Sequence, residues 1–391
     1  MKKLEKRVLL SSPTMHGEEQ EYIKEAFDRN WIAPLGFNCD GFEKEMNDYL
    51  GGGYYPFATV SGTSAIHLAV KLAGVKPGDV VLCSDMTFSA TVNPIVYEGG
   101  VPVFVDSERE TWNMDPDALE EGFRRYPQCG VVLLAHLYGT PSKMKEIIEV
   151  CERHGAVLIE DAAEALSSAY DGKKCGTFGT FNALSFNGNK IITTSGGGML
   201  VTKNPEARQK ALFWSTQSRE AAPWYQHKEL GYNYRMSNIV AGIGRGQLKH
   251  LEEHRKLKEN IYNRYREGLS GCPVKMNPFL ENSIPNFWLS CITVDPEAMC
   301  TQIRSETGTF WQHEPGKTCP DEIAAKLLDR NIESRPIWKP MHMQPFFKER
   351  DLIGTGVGED IFARGICLPS DIKMTAKEQD AVIETVKNCF A

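Results

Sequence analysis

No stretch of this 391-residue chain is apolar for long enough to span a bilayer. No long apolar run follows the basic start Met1-Lys2-Lys3-Leu4-Glu5-Lys6-Arg7 before the polar Ser11-Ser12, so the start does not read as a signal peptide. An excess of positive charge is missing too. The formal net charge of −7 argues against nucleic acid or an anionic membrane as the main partner. The eleven cysteines include no Cys-x-x-Cys pair and follow no regular spacing, which excludes a disulfide framework and fits reduced thiols in a cytoplasmic protein. Cys83 and Cys291 sit inside apolar runs, where the thiol serves as a small core group. A Walker lysine motif, internal repeats and low-complexity segments are also absent.

What is present is an ordinary globular composition, 41% hydrophobic and 24% charged, long enough for two domains with their own cores. Amphipathic spacing predicts helices over residues 17–30 and 39–50. Apolar runs at 57–60, 80–83, 102–105, 131–135 and 156–160 then alternate with helical patterns at 63–73, 89–97, 116–126 and 142–154. Continuous apolar strands alternating with helices predict a mainly parallel sheet covered on both faces, with ligands beyond the carboxyl ends of the strands. After a helix at 205–214 and an irregular polar and aromatic stretch at 215–234, one long helix is expected over 237–268. Weaker patterns follow: strands at 287–294 and 332–337, and helices at 321–330 and 375–389. They predict a smaller α+β domain, with the division placed at 1–250 and 251–391.

The chemistry is sought at the strand ends. Ser185-Phe186-Asn187-Gly188-Asn189-Lys190 sets a lysine after a short apolar strand, ahead of Ser195-Gly196-Gly197-Gly198. A buried amine whose charge is disfavoured becomes a nucleophile, and the glycines let the backbone pass close to something bulky. Lys190 is therefore the candidate for a Schiff base with pyridoxal phosphate; the plainer reading is a solvated turn lysine. Ser61-Gly62-Thr63-Ser64-Ala65 follows a strand and opens a helix, either as an anion site or as a simple N-cap. Phe88 reads as a ring that stacks on a flat ligand or as core. Asp161, ending a strand, either pairs with a protonated pyridine nitrogen or caps the next turn. His136 lines the same crevice or is a core histidine.

Three further patterns are read as structural. His250-Leu251-Glu252-Glu253-His254 matches a short zinc pattern but lies in a charged helical run, so a solvated face is expected. Gly242-Ile243-Gly244-Arg245-Gly246 is assigned to close helix packing. Gly354-Thr355-Gly356-Val357-Gly358 lacks a convincing preceding strand and is expected to be a mobile loop.

In this order, and together with Gly231-Tyr232-Asn233-Tyr234-Arg235-Met236-Ser237 and Arg335-Pro336-Ile337-Trp338-Lys339-Pro340-Met341-His342, these motifs resemble the nucleotide-sugar aminotransferases, the DegT-type branch of fold type I pyridoxal phosphate enzymes. The resemblance covers nearly the whole chain. It implies a large domain with a mainly parallel, seven-stranded type of sheet between helices, and a smaller C-terminal α+β domain. It implies Lys190 as the cofactor-carrying lysine and base, and Asp161 as the pyridinium partner. Gly62, Thr63 and Ser185 are implied as phosphate contacts and Phe88 as the stacking ring. Asn233 would reach the phosphate of a neighbouring subunit, giving a homodimer with shared sites. Trp31, Arg335 and His342 are candidates for the sugar pocket, and Arg235 for the donor carboxylate or the pyrophosphate; Trp338 is left to the core.

One position departs from the pattern. Many relatives carry His or Gln where this chain has Glu164, which must be protonated near a phenolate or else face the incoming amine. Glu164 also occurs in relatives that aminate a UDP-linked N-acetyl 4-keto-6-deoxy sugar, and the run at 187–200 looks like theirs. The resemblance therefore implies amino transfer from L-glutamate to a 4-keto-6-deoxy nucleotide sugar. The alternatives are a 3-keto nucleotide-sugar substrate, or a non-catalytic relative with the same fold. A dehydratase would carry His in place of Lys190, and a nicotinamide enzyme would need a glycine fingerprint after a strand.

Overall fold

The computed structural model describes residues 3–391; Met1 and Lys2, which begin the basic start, lie outside the described residues. Two helices, α1 (Glu18–Asp28) and α2 (Phe37–Tyr49), come first. The alternating region then runs β1 (Phe57–Thr59), α3 (Gly62–Leu72), β2 (Val80–Ser84), α4 (Ser89–Tyr97), β3 (Val101–Val105), α5 (Pro116–Arg125), β4 (Val131–Ala135), α6 (Met144–Arg153) and β5 (Val157–Asp161). Two short strands, β6 (Ala169–Tyr170) and β7 (Lys173–Lys174), precede β8 (Phe181–Ser185), β9 (Gly198–Thr202) and α7 (Pro205–Ser215). Three of these helices start where the sequence supplies a side-chain acceptor for orphan amides: Ser61 with Ser64 at α3, Asp115 before Pro116 at α5, and Asn204 before Pro205 at α7.

The central sheet has the order β1-β9-β8-β5-β4-β2-β3 and gains a two-residue edge strand, β16 (Leu352–Ile353), beside β3. Strands β8, β5, β4, β2 and β3 are parallel, whereas β9 runs antiparallel to both β8 and β1. Every residue of β4, β8 and β9 is buried, as expected for strands with both faces covered. One core, including Ile66, Leu68, Val81 and Ile159, lies on one face of the sheet; another, with Phe42, Leu184, Phe186 and Met199, packs beneath α2.

The expected long helix over 237–268 is two helices, α8 (Asn238–Leu248) and α9 (Leu251–Gly268). The break falls at Lys249-His250, where the His250 ring stacks on His16 at 3.6 Å and its Nε2 lies 3.2 Å from Glu18 Oε1. Side-chain contacts to the N-terminal segment hold this junction, and periodicity does not report them. The glycines of α8 do serve close packing. A Cβ at Gly246 would sit 2.7 Å from the Glu19 amide nitrogen, and one at Gly244 2.7 Å from the Phe42 ring.

The chain continues through β10 (Val274–Met276), β11 (Ser283–Ile284), β12 (Ser290–Val294), the hairpin β13 (Gln302–Arg304) and β14 (Thr309–Trp311), α10 (Pro320–Asp329) and β15 (Arg335–Pro336). After β16 come α11 (Val357–Arg364), β17 (Gly365–Leu368) and α12 (Ala376–Asn388). An antiparallel sheet ordered β10-β12-β17-β15 packs on α9, α10 and α12 around Tyr265, Ile292, Leu327, Ile366 and Val382, and Val8 enters this core. The strand expected over 332–337 shrinks to Arg335–Pro336, and that over 287–294 starts only at Ser290, because Phe287 takes a left-handed φ of 55°. Gly354–Gly358 is not a mobile loop: it follows β16, opens α11 and wraps the buried carboxylate of Asp106. His250–His254 is a solvated face only in part: Glu252 and Glu253 are exposed, whereas His254 is buried and bonded to His16 and to the Ile191 carbonyl. Among the described residues no helix is long and apolar enough to cross a membrane.

Candidate active site

The carboxyl ends of β4, β5 and β8 and the amino ends of α3 and α4 surround a cavity of about 320 Å³. It brings together Gly62, Thr63, Phe88, Asp161, Glu164, Ser185 and Lys190. Trp288, just before β12, and Trp338, just after β15, close it from the side of the C-terminal sheet.

Lys190 stands on the turn after β8, its amide bonded to the Asn187 carbonyl at 3.0 Å. Its Nζ lies 3.4 Å from Glu164 Oε1 and 4.3 Å from the centre of the Trp288 ring. The glycines that follow serve a close approach. A Cβ at Gly198 would fall 2.3 Å from the Ser61 carbonyl carbon, so β9 can carry the chain back past the start of α3 only with glycine there.

Asp161 caps the next turn and also lines the cavity. Oδ1 accepts the Ala163 amide at 2.9 Å, capping the turn, and Oδ2 accepts the Thr91 hydroxyl at 2.7 Å while the residue lines the cavity. Burial raises its carboxyl pKa, and the Thr91 bond opposes that. Glu164 is buried as well, and burial pushes its carboxyl up to about 7 against the pull of Lys190. Its Oε2 accepts the Tyr138 amide at 2.7 Å. His136 lines the cavity edge, with Nε2 held by Glu160 at 2.9 Å and Nδ1 beside the Ser142 hydroxyl at 3.0 Å; it is a satisfied core histidine and a wall at once. Phe88 is exposed and tilted against Trp338, with ring centres 5.4 Å apart.

The remaining sequence candidates lie outside the cavity of the single chain. Trp31 is exposed and bonded to the Leu35 carbonyl, and Asn233 is exposed on a backbone bridge to Thr216. Arg235 is buried over the Phe57 ring, with Glu43 supporting its charge against desolvation. Arg335 pairs with Glu333 at 2.7 Å. His342 donates its backbone amide to Asp85, and its ring is held between Asp85 and Glu359. Conversely, Trp338, assigned to the core, lines the cavity. Thr91, Trp288, Tyr138 and Asn286 were not anticipated. Thr91, in the first turn of α4, meets Thr87 just before the helix, and neither carried a signal beyond the strand-to-helix turn they flank; the others carried none.

These residues fit pyridoxal phosphate. The first-turn amides of Gly62 and Thr63 have no carbonyl one turn back, and a Cβ at Gly62 would meet Ser185 at 2.9 Å, so a small anion-sized cup is kept open beside a hydroxyl. A buried carboxylate and a lysine amine line the same cavity. Fold and cleft together define the class, a pyridoxal phosphate-dependent aminotransferase. A model of the DegT/DnrJ/EryC1/StrS aminotransferase family matches residues 13–387. EpsN of Bacillus subtilis, named as a pyridoxal phosphate-dependent aminotransferase, is 45% identical and covers 99% of this chain and 97% of its own. GDP-perosamine synthase of Escherichia coli O157:H7 is 32% identical, covering 99% of each chain. The crystal structure of the aminotransferase TlmJ from Streptoalloteichus hindustanus superposes with a TM-score of 0.86 at 25% identity over 98% of both chains. The chain belongs to the DegT/DnrJ/EryC1/StrS aminotransferase family.

Proposed function

We propose that this protein moves the amino group of L-glutamate onto the keto carbon of a 4-keto-6-deoxy nucleotide sugar, UDP-linked and 2-acetamido. The product is a 4-amino-4,6-dideoxy nucleotide sugar for a surface glycan. The observation that carries the reading is Lys190 Nζ sharing one cavity with Asp161, Glu164 and the open first turn at Gly62. The cofactor, when bound, supplies a conjugated ring that holds the electrons released at the amino acid's alpha carbon. Lys190 would hold it and move the proton at that carbon; Asp161, fixed by Thr91 and Ala163, would keep the ring nitrogen cationic. Gly62, Thr63 and Ser185 would take the phosphate, and Phe88 would cover the ring.

The exposed Trp31 and Asn233 support a homodimer in which Asn233 completes the partner's phosphate cup. Arg235, Arg335 and His342, outside the cavity here, would act on substrate only in that assembly. A division near residue 250 would then separate the cofactor-binding part from the part that closes over it. The relative named GDP-perosamine synthase favours one second reading, a GDP-linked substrate.

Purified protein incubated with glutamate and UDP-, GDP- and dTDP-linked 4-keto-6-deoxy sugars decides between them. Amination of the UDP sugar, lost in Lys190→Ala, is the expected result. Amination of the GDP sugar alone would overturn the nucleotide assignment, and no amination of any sugar would overturn the reaction.

A further inference from the structure

Glu164 and Lys190 form a closed pair. The lysine amine has a carboxylate oxygen at 3.4 Å on one side and the Trp288 ring at 4.3 Å on the other. Among the described residues Glu164 is the one carboxylate within ion-pair distance of Lys190. The carboxyl group is fixed from behind. Tyr138, held at φ 52° and ψ 23° on the turn after β4, donates its amide to Oε2, so Oε1 alone faces the amine. Asn286 anchors the backbone of the same residue, donating to the carbonyls of Glu164 at 2.6 Å and Leu166 at 2.8 Å. A left-handed tyrosine is uncommon backbone, retained where the surroundings over-determine it. Here its hydroxyl accepts the Trp338 amide at 2.9 Å while its own amide aims the carboxylate.

We propose that Glu164 is a catalytic residue, the proton partner of the Lys190 amine, taking the ammonium proton before the amine acts and returning it afterwards. The inference rests on the reading of Lys190 as the cofactor-carrying lysine. In the step an N–H bond of the ammonium breaks, its electron pair stays on nitrogen as the free amine, and an O–H bond forms at Oε1. An ion pair becomes a neutral pair as the proton crosses, the net charge of the pair stays zero, and no water is needed. In a buried site that conversion is cheap, because desolvation penalises the charged pair. Tyr138 is the positioning residue, since its amide holds the acceptor in place.

The other titratable groups around the pair are Asp161 and His136 at the strand ends and Tyr138 on the turn. Cys291 faces it from β12, Cys367 of β17 lies beside Tyr138 and Cys291, and His254 and Lys258 lie beneath the lysine turn. Burial raises the Tyr138 phenol and the Cys291 thiol well above their usual range, so both stay neutral near pH 7. Burial places the Glu164 carboxyl at about 7, within reach of a neutral-pH transfer.

The test uses the full chain freed of cofactor, mixed with pyridoxal phosphate, with the rate of colour growth at roughly 400–430 nm followed from acid to alkaline pH. The wild-type rate is expected to show a limb with its midpoint near about 7. Glu164→Gln keeps an acceptor for the Tyr138 amide but cannot take a proton. It is expected to lose that limb and to slow by about 100-fold at neutral pH. A Gln variant that retains the limb and stays within about threefold of wild type overturns the proposal and leaves Glu164 a structural acceptor. The unaltered protein gives a second readout: a buried carboxyl titrating near about 7 in infrared difference spectra, displaced by reductive methylation of Lys190. Its absence also overturns the proposal. Lys190→Ala separates the two readings, because colour growing in that variant at the wild-type rate sinks the assignment of Lys190 itself, whatever Glu164 does.

Discussion

Asp106 Oδ2 lies 2.7 Å from the amide nitrogen of Gly356. The same carboxylate also accepts the amides of Thr355, Val357 and Gly358, at 3.0, 3.0 and 2.9 Å. The glycine-rich turn thus does to one of the chain's own carboxylates what a phosphate-binding turn does to a ligand. Gly354, with φ 158°, has no room for a side chain, since a Cβ would fall 2.0 Å from that of Asp106. Asp106→Ala leaves these amides without an acceptor and is expected to cost about 3–5 kcal/mol in urea unfolding, with Asp106→Asn intermediate. A loss below about 1 kcal/mol for the alanine variant would show that water replaces the carboxylate at no penalty.

The histidines between α1 and α9 set a pH dependence. His254 Nδ1 lies 2.8 Å from the Ile191 carbonyl, which accepts, so Nδ1 carries the proton and Nε2 accepts from His16 at 2.7 Å. Burial lowers the His254 pKa. Below about pH 6.5 the unfolded chain therefore binds a proton that the folded chain refuses, and stability falls as the pH drops further. His250 has the opposite sign. Desolvation lowers its pKa, but hydrogen bonds to Glu253 and Glu18 outweigh that and raise it, so its contribution is present in acid and lost as pH rises through the folded value. His250 is more exposed and more screened, so His254 should dominate. Unfolding free energies at pH 7.5 and 5.5 should differ less in His254→Gln than in wild type; equal slopes would refute the assignment.

Lys258 is a buried amine whose Nζ donates to the carbonyls of Trp288 at 3.0 Å and Ser370 at 2.9 Å. Burial lowers its pKa to about 8, with Asp371 opposing. Between about 8 and the unfolded value near 10.4 the unfolded chain holds the extra proton, so this residue makes stability rise with pH across that window. Lys258→Met should remove that rise, read as the difference in urea midpoint between pH 7.5 and 9.5. Because the Trp288 carbonyl loses its donor, an altered indole fluorescence should accompany it.

Glu98, at the end of α4, ties the loop bearing Asn233 to α3. It lies 2.8 Å from His67 Nε2 and accepts from Lys71 at 3.2 Å and from the Tyr232 hydroxyl at 3.2 Å. His67 Nδ1 stands 3.1 Å from the Tyr234 hydroxyl, and the two tyrosine rings stack 4.8 Å apart. With Tyr232 and Tyr234 packed down, the residue between them faces outward, exposed. Glu98→Ala should speed proteolysis within 217–230. If Asn233 serves a partner's phosphate, it should also weaken pyridoxal phosphate binding about 10-fold, equivalent to about 1.4 kcal/mol. Unchanged proteolysis would remove Glu98 as the anchor; faster proteolysis with unchanged affinity would remove Asn233 from the cofactor's site.

The alternation of helices and strands was legible because both periods are local. Strands such as Val131–Ala135 are continuous apolar runs, and helices such as α3 and α5 announce their starts with Ser61 and Asp115. Asp161, Ser185 and Gly62 could be found because each ends a strand or opens a helix, and Lys190 because it stands on the turn after one. Trp288 and Trp338 could not, because they reach the cavity from the C-terminal sheet, and Asn286 could not, because it acts from behind on the Glu164 backbone; no local pattern points there. The break at Lys249-His250 was hidden for the same reason: the ring that stacks on His250 belongs to His16, far away in sequence just before α1.

By itself the sequence determined which chemical groups the chain carries and the order of its elements, since apolar period, capping residues and glycines act within a few residues. Tertiary structure decided which charges meet. It gave the glycine-rich turn to Asp106, set Trp288 against the lysine amine and turned Glu164 toward that amine. The physical reason is that ion pairs and ring contacts depend on distance through space, which strand order and helix packing set and neighbouring residues in sequence do not.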